Sequence, residues 1–197
     1  MILEWLLKNW VEVAGALTGL IAIYFQIKEK VIFWPISLIN VILYIFVYFS
    51  ALLYAEVSLQ LYYLVVSIYG WYYWQSGKIK NKGSELKVTT CSKNLILKLS
   101  VIFVALFFLM AFVLKKFTNT DVPFVDAFVT SLSFIATWLL AKKKIENWLV
   151  WIVVDAACVG VYIYKGLYPT IVLFAVLTIL AFVGYNSWKK SMLCKSE

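Results

Sequence analysis

Seven apolar runs, each near the length of a membrane-spanning helix, constrain this chain more than any other feature. They fall at about 10–27, 31–49, 56–75, 95–114, 122–140, 147–165 and 167–188, and a span takes roughly 20 residues. In a chain of 197 residues, 64% hydrophobic and 14% charged, the runs leave room only for short loops. A soluble globule is nearer half apolar and a quarter charged, and disorder needs low hydrophobicity. The expectation is one all-α polytopic membrane domain over residues 1–197. Residues 1–9 are short, amphipathic and of mixed charge, so a cleavable signal sequence is not expected.

Residue usage removes several function classes. With no His there is no imidazole acid–base chemistry and no His metal site. Cys91, Cys158 and Cys194 are too far apart for zinc or redox spacing. No phosphate-cradling Gly-Lys-Ser/Thr loop appears. An embedded enzyme is therefore disfavoured, and no cofactor is expected. The net charge of +8 comes entirely from Lys between apolar runs, which reads as a topology signal rather than a nucleic-acid surface. One side carries 13 Lys and the other 4, with Lys98 near a helix end left out. Basic loops stay in the cytoplasm, which predicts the N-terminus outside and the C-terminus inside.

An offset of 114 aligns the first three runs with the last three. Lys28 meets Lys142, Lys30 meets Lys144, Trp34 meets Trp148, Tyr48 meets Tyr162, Tyr54 meets Tyr168, Gly70 meets Gly184 and Trp74 meets Trp188. A lone three-helix unit followed by another would be inverted, but the fourth run restores direction. The expected architecture is three-plus-one-plus-three, with two parallel repeats and a lipid-facing linker at 95–114. Parallel repeats of this kind hold substrate near the midplane between them.

Polar and ionisable residues inside spans are the functional candidates. Trp148, Trp151 and Asp155 follow i, i+3, i+7 on one helix face. Asp155 is about 12 Å along the axis from Asn147, near mid-membrane. Phe33, Ser37 and Asn40 make a similar face, with Asn40 at nearly the same depth. The strict offset pairs Asp155 with Val41, so a match to Asn40 needs a slip of one residue. Asp126, Thr130, Ser133 and Thr137 form a stripe in the fifth run. Gln60, Tyr63, Ser67, Trp71 and Trp74 do so in the third, and Glu12, Gly15, Gly19 and Gln26 in the first. Converging, such faces suit a flat, partly polar heterocycle held between rings.

Plainer roles compete with these. Trp5, Trp10, Trp74, Trp138 and Trp188 lie near span ends and read as interfacial belt residues. Trp34 and Trp148 fit the belt or the ligand equally. Thr130, Ser133 and Gly19 suit helix packing. Glu12 and Asp126 sit where a carboxylate reaches water. Asn40, Trp151 and Asp155 are too deep for that, leaving a ligand contact or a buried helix–helix hydrogen bond.

Four stretches carry a family resemblance. They are Phe33-Trp34-Pro35-Ile36-Ser37-Leu38-Ile39-Asn40, Ser67-Ile68-Tyr69-Gly70-Trp71-Tyr72-Tyr73-Trp74, the run from Glu146 to Asp155, and Tyr162-Ile163-Tyr164-Lys165-Gly166-Leu167-Tyr168. Together they resemble the PnuC family of bacterial vitamin transporters over essentially the whole chain. The resemblance implies a SWEET-like fold, a homotrimer in the bacterial inner membrane, and facilitated diffusion of an unphosphorylated vitamin that a cytoplasmic kinase then traps. It also implies a nicotinamide riboside site built on Trp-x-x-Trp-x-x-x-Asn. Here that motif reads Trp148-x-x-Trp151-x-x-x-Asp155, with Asp for Asn. The expected substrate-binding set is Trp148, Trp151, Asp155, Asn40, Gln60, Trp34, Phe33, Ser37 and Tyr63. Nicotinamide riboside leads as cargo, with thiamine next. Both carry a cationic ring that an Asp offsets. A proton-coupled transporter using Asp155 or Glu12 is the remaining alternative.

Overall fold

The structure, a computed structural model, describes residues 10–50, 54–80, 86–118 and 120–194. Those residues form seven helices: α1 Trp10–Ile27, α2 Phe33–Ser50, α3 Tyr54–Lys80, α4 Lys93–Phe117, α5 Pro123–Ala141, α6 Glu146–Tyr164 and α7 Tyr168–Cys194. Each of the seven apolar runs falls on one of them. Among the described residues, α2, α4, α5, α6 and the stretch Thr170–Cys194 are long and apolar enough to cross a membrane. Helix α3 runs past the predicted end at 75 into Lys78 and Lys80, which lengthens it to 27 residues and dilutes its apolar character.

The chain divides into two compact units, Met1–Leu86 and Lys87–Glu197. In the first, α2 packs against both α1 and α3. In the second, α4 packs on α5, α5 on α6 and α6 on α7. Local chemistry sets the helix ends. The Ser92 side chain caps α4 by accepting from Leu95 N at 3.3 Å, and Lys115 and Lys116 sit in its last turn, where the helix dipole favours cations. Pro123 opens α5, where its missing N–H costs nothing. Thr120 accepts from Val122 N and donates to the Asp126 carboxylate, so Asp126 ties down the entry to α5. Gly166, at φ 66°, supplies the left-handed residue between α6 and α7.

One turn occurs in both units at the offset of 114. Glu29 ends α1 at φ 59° and Lys143 ends α5 at φ 53°. Lys28 N donates to Tyr24 O at 3.1 Å and Lys30 N to Phe25 O at 3.0 Å. Their partners at the offset, Lys142 N to Trp138 O and Lys144 N to Leu139 O, are 3.1 and 2.9 Å. This is a left-handed helix stop in which the following N–H groups satisfy the last free carbonyls. Neither stop uses Gly, so the sequence does not announce it.

In the second unit residues 87–92 form a strap over that turn. Thr89 N donates to Lys143 O at 3.2 Å and Ile145 N donates to Thr89 O at 3.0 Å. Lys144 Nζ reaches Thr90 O at 2.9 Å, and Cys91 N donates to Glu146 Oε1 at 2.7 Å. Val88 of the strap and Lys143 of the turn are both buried. Burial, with the hydrogen bond and charge of Glu146, pushes the Cys91 thiol up to about 12, against a smaller opposing pull from Lys144.

Candidate functional site

A Trp–Gly–Trp lock organises each unit. In the first, Trp34 opens α2 and Trp74 lies late in α3, their rings perpendicular with centroids 5.5 Å apart. In the second, Trp148 opens α6 and Trp188 lies late in α7, again perpendicular at 5.5 Å. Gly70 and Gly184 face the first indole of each pair. A Cβ built on Gly70 would stand 2.3 Å from Trp34, and one on Gly184 would stand 2.5 Å from Trp148. Real contacts are not that short, so only Gly admits the ring. All four indoles are buried, Trp74 and Trp188 completely. The belt expectation for Trp74 and Trp188 is therefore wrong: they are core residues that clamp antiparallel helix ends. Trp10 is 62% exposed, in keeping with a belt position, and Trp138 lies beside Lys142 Nζ, 6.0 Å from its ring. Trp5 falls outside the described residues.

The nine expected ligand residues sort by unit. Phe33 and Trp34 come together, 4.7 Å between centroids, with Phe33 also 6.3 Å from Trp74. Ser37, Gln60 and Tyr63 are half-buried, and Tyr63 meets the Tyr62 ring at 5.8 Å. Asn40 donates Nδ2 to Gly15 O at 2.6 Å and to Thr18 Oγ1 at 3.2 Å, which joins α2 to α1. In the second unit Trp148 belongs to the lock, and its Nε1, like that of Trp34, has no hydrogen-bond partner among the described residues. Trp151 is half-buried. Asp155 is 5% exposed, and no hydrogen bond or ion pair to it is found among the described residues.

Position 155 separates the two units most sharply. Its partner at the offset is Val41, 4% exposed. At the offset of 114, a buried position takes a valine on α2 and a carboxylate on α6.

The polar stripe of α5 turns onto its own backbone. Ser133 Oγ donates to Val129 O and Thr137 Oγ1 to Ser133 O, both at 2.8 Å. Both hydroxyl protons are thus donated within the helix. On α3 the expected single face splits. Ser67 and Trp74 are buried with Gly70, while Trp71 is 41% exposed and turns into a surface groove. The side chain of Glu12 lies outside the described residues. Sequence reasoning missed the role of Gly70 and Gly184. The signal was present: a Gly-x-x-x-Trp spacing that recurs at the offset of 114 with a Trp at the head of the preceding helix.

Comparison with known proteins gives this arrangement its context. The model of the family described as nicotinamide mononucleotide transporter matches residues 9–190. The chain is 28% identical over 207 residues to the nicotinamide riboside transporter PnuC of Escherichia coli (strain K12), covering 93% of this chain and 86% of that protein. It is 21% identical over 183 residues to the riboflavin/roseoflavin transporter RibM of Streptomyces davaonensis, covering 91% and 84%. A crystal structure of the vitamin B3 transporter PnuC matches with a TM-score of 0.76 at 21% identity, over 97% of this chain and 85% of that one, which shows a shared fold. The family match runs through both units and both tryptophan locks, and the chain belongs to the nicotinamide mononucleotide transporter family, a multi-pass membrane transporter of the PnuC type.

Proposed function

We propose that the chain carries an unphosphorylated, cationic vitamin across the membrane by facilitated diffusion, with nicotinamide riboside as the leading cargo. One observation carries the reading: Asp155, a buried carboxylate where the matching place in the other unit holds Val41. An unpaired carboxylate at span depth is costly. A cationic ring offsets that cost when bound, and Trp151 lies four residues away, one turn along the same helix. The relative from Escherichia coli is a nicotinamide riboside transporter, which supports this cargo over thiamine. We read the two units as parallel three-helix repeats joined by α4, in a SWEET-like three-plus-one-plus-three order. The matched locks and matched helix stops support that reading. The lysine-rich side, the C-terminus included, faces the cytoplasm, where a kinase phosphorylates and traps the cargo. The assembly is a homotrimer. Trp148 and Trp34 act on the site by fixing the ends of α6 and α2, while Asn40, Gln60, Ser37, Phe33 and Tyr63 supply polar and aromatic walls.

The test is affinity of the wild type and Asp155→Asn for nicotinamide riboside, thiamine and riboflavin at one ionic strength. The near-isosteric change keeps the fold. It weakens both cationic vitamins at least tenfold, about 1.4 kcal/mol, and affects neutral riboflavin less. Unchanged binding of both cationic vitamins would sink the charge-reading role. Uptake into proteoliposomes that tracks a pH gradient, and vanishes without one, would replace diffusion with proton coupling. The relative RibM makes riboflavin the natural third cargo. If riboflavin alone binds, Asp155 serves hydrogen bonding rather than charge.

A further inference from the structure

Val31 and Ile32, just past the helix stop of the first unit, border a groove of about 620 Å³ with Pro35, Trp71, Tyr72 and Gln75. At the matching place in the second unit, Ile145 and Glu146 lie under the strap of residues 87–92. The groove is open: Ile32 is 48% exposed and Tyr72 73%. Its α3 wall, Trp71, Tyr72 and Gln75, follows i, i+1, i+4, and its other wall opens α2, a membrane span. The character of the walls changes along their length. Pro35 and Trp71 are apolar, Gln75 is polar, and Lys78 follows one turn later, about 4.5 Å further along the axis. Lys28 and Lys30 precede Val31 on the facing side, so both walls end in cations. Trp and Tyr are the residues that favour the level between hydrocarbon and headgroups. A molecule that matches this gradient has a hydrocarbon chain and a negative head.

We propose that the groove seats an anionic phospholipid of the surrounding bilayer, with an acyl chain along Pro35 and Trp71 and its headgroup at the Lys28 and Lys78 end. A zwitterionic lipid gains the same chain contacts without the attraction of the lysines. This site is independent of Asp155 and of the cargo.

The experiment uses the full chain in lipid nanodiscs with a photo-crosslinking phenylalanine in place of Tyr72, an exposed position whose replacement leaves the core intact. The bilayers contain phosphatidylglycerol and phosphatidylcholine with identical acyl chains. The expected result is a preference for phosphatidylglycerol of about fivefold per lysine engaged. Lys28→Gln, an exposed change, lowers that preference by about the same factor. The same probe at Phe46, exposed on α2 and far from the basic end, shows no preference. Equal labelling of the two lipids at position 72, or the same preference at position 46, overturns the proposal. So does crosslinking mainly to a second copy of the chain, which makes the groove a subunit interface.

Discussion

The two units use one packing device with different surroundings. Both hold a perpendicular Trp pair at 5.5 Å against a Gly, and both stop a helix on a left-handed charged residue. Around that device they diverge. In the second unit α4 and the strap cover α5 and its turn, and α5 buries nine residues from Ala127 to Ala141. In the first, Leu17, Leu20, Ile21 and Tyr24 of α1 are exposed. Polar chemistry is exchanged as well. Gly15 O accepts from Asn40 on another helix, whereas Val129 O, its partner at the offset, accepts from Ser133 on its own. Asn40 itself is matched by buried Val154, and Asp155 by buried Val41. The lesson is that the clamp at the helix ends is kept while the residues one to two turns deeper are free to differ.

Removing the clamp is the strongest way to break this comparison. Trp74→Ala and Trp188→Ala should each destabilise by about 3–5 kcal/mol. Lipid is as apolar as the core, so the loss is one of van der Waals packing, not of hydrophobic transfer. The thermal midpoint of the detergent-purified protein measures it. Equal losses mean that the locks are equivalent, and a smaller loss for Trp188→Ala means that the strap and α4 share the load. No loss in either variant sinks the clamp. Next come Gly70→Ala and Gly184→Ala, where the new methyl meets an indole; overpacking costs about 1–3 kcal/mol. Gly160 faces open space, so Gly160→Ala should be neutral or stabilising by up to about 1 kcal/mol. Destabilisation as large at Gly160 as at Gly184 would mean that indole contact is not the cause.

The strap gives a difference in the opposite direction. Glu146→Gln should cost about 1–2 kcal/mol by weakening the bond from Cys91 N, while Ile32→Gln, the exposed position at the offset, should cost almost nothing. The same change has a pH signature. The Cys91 thiol is pushed up to about 12, so at pH 8 it is almost wholly protonated and gains reactive thiolate only as pH rises. Removing the Glu146 charge lowers that value, so maleimide labelling of Cys91 at pH 8 should speed up relative to exposed Cys194. A slower or unchanged rate would show that Glu146 does not govern the thiol. The smallest effect belongs to Asn40→Val, which makes the first unit resemble the second there. Interhelical hydrogen bonds in membranes average about 0.6 kcal/mol, and the midpoint should fall by no more than that implies. A large drop would make Asn40 a structural keystone.

Seven helices were legible because a span needs an apolar run of fixed length, and 10–27 and 147–165 lie within a residue of α1 and α6. The paired clamp was half legible. Trp34 with Trp148, Gly70 with Gly184 and Trp74 with Trp188 stand out at the offset, but a Trp near a span end has the same sequence context in a lipid belt as in a clamp. Only the Gly one turn earlier on the same helix separates the two. Asn40 was narrowed to a ligand contact or a helix–helix bond, and the geometry supplies the bond to α1. The left-handed stops at Glu29 and Lys143 carry no Gly or Asn to reveal them. The strap was illegible because its bonds are made by backbone groups of Thr89, Thr90 and Cys91, which any residue but Pro supplies.

The buried indole pairs also make the protein its own optical instrument. The chain has nine Trp, and the four in the clamps are shielded from aqueous quenchers while Trp10 is open to them. Iodide therefore dims the exposed set and leaves the emission of the clamps. Replacing Trp34 and Trp74 with Phe removes one clamp from the emission and leaves Trp148 and Trp188 as the fully shielded pair, with half-buried Trp138 and Trp151 as a constant background, and the reciprocal exchange follows the other clamp. Whether the two halves loosen together or in turn during a transport cycle can then be followed as light, without an attached dye.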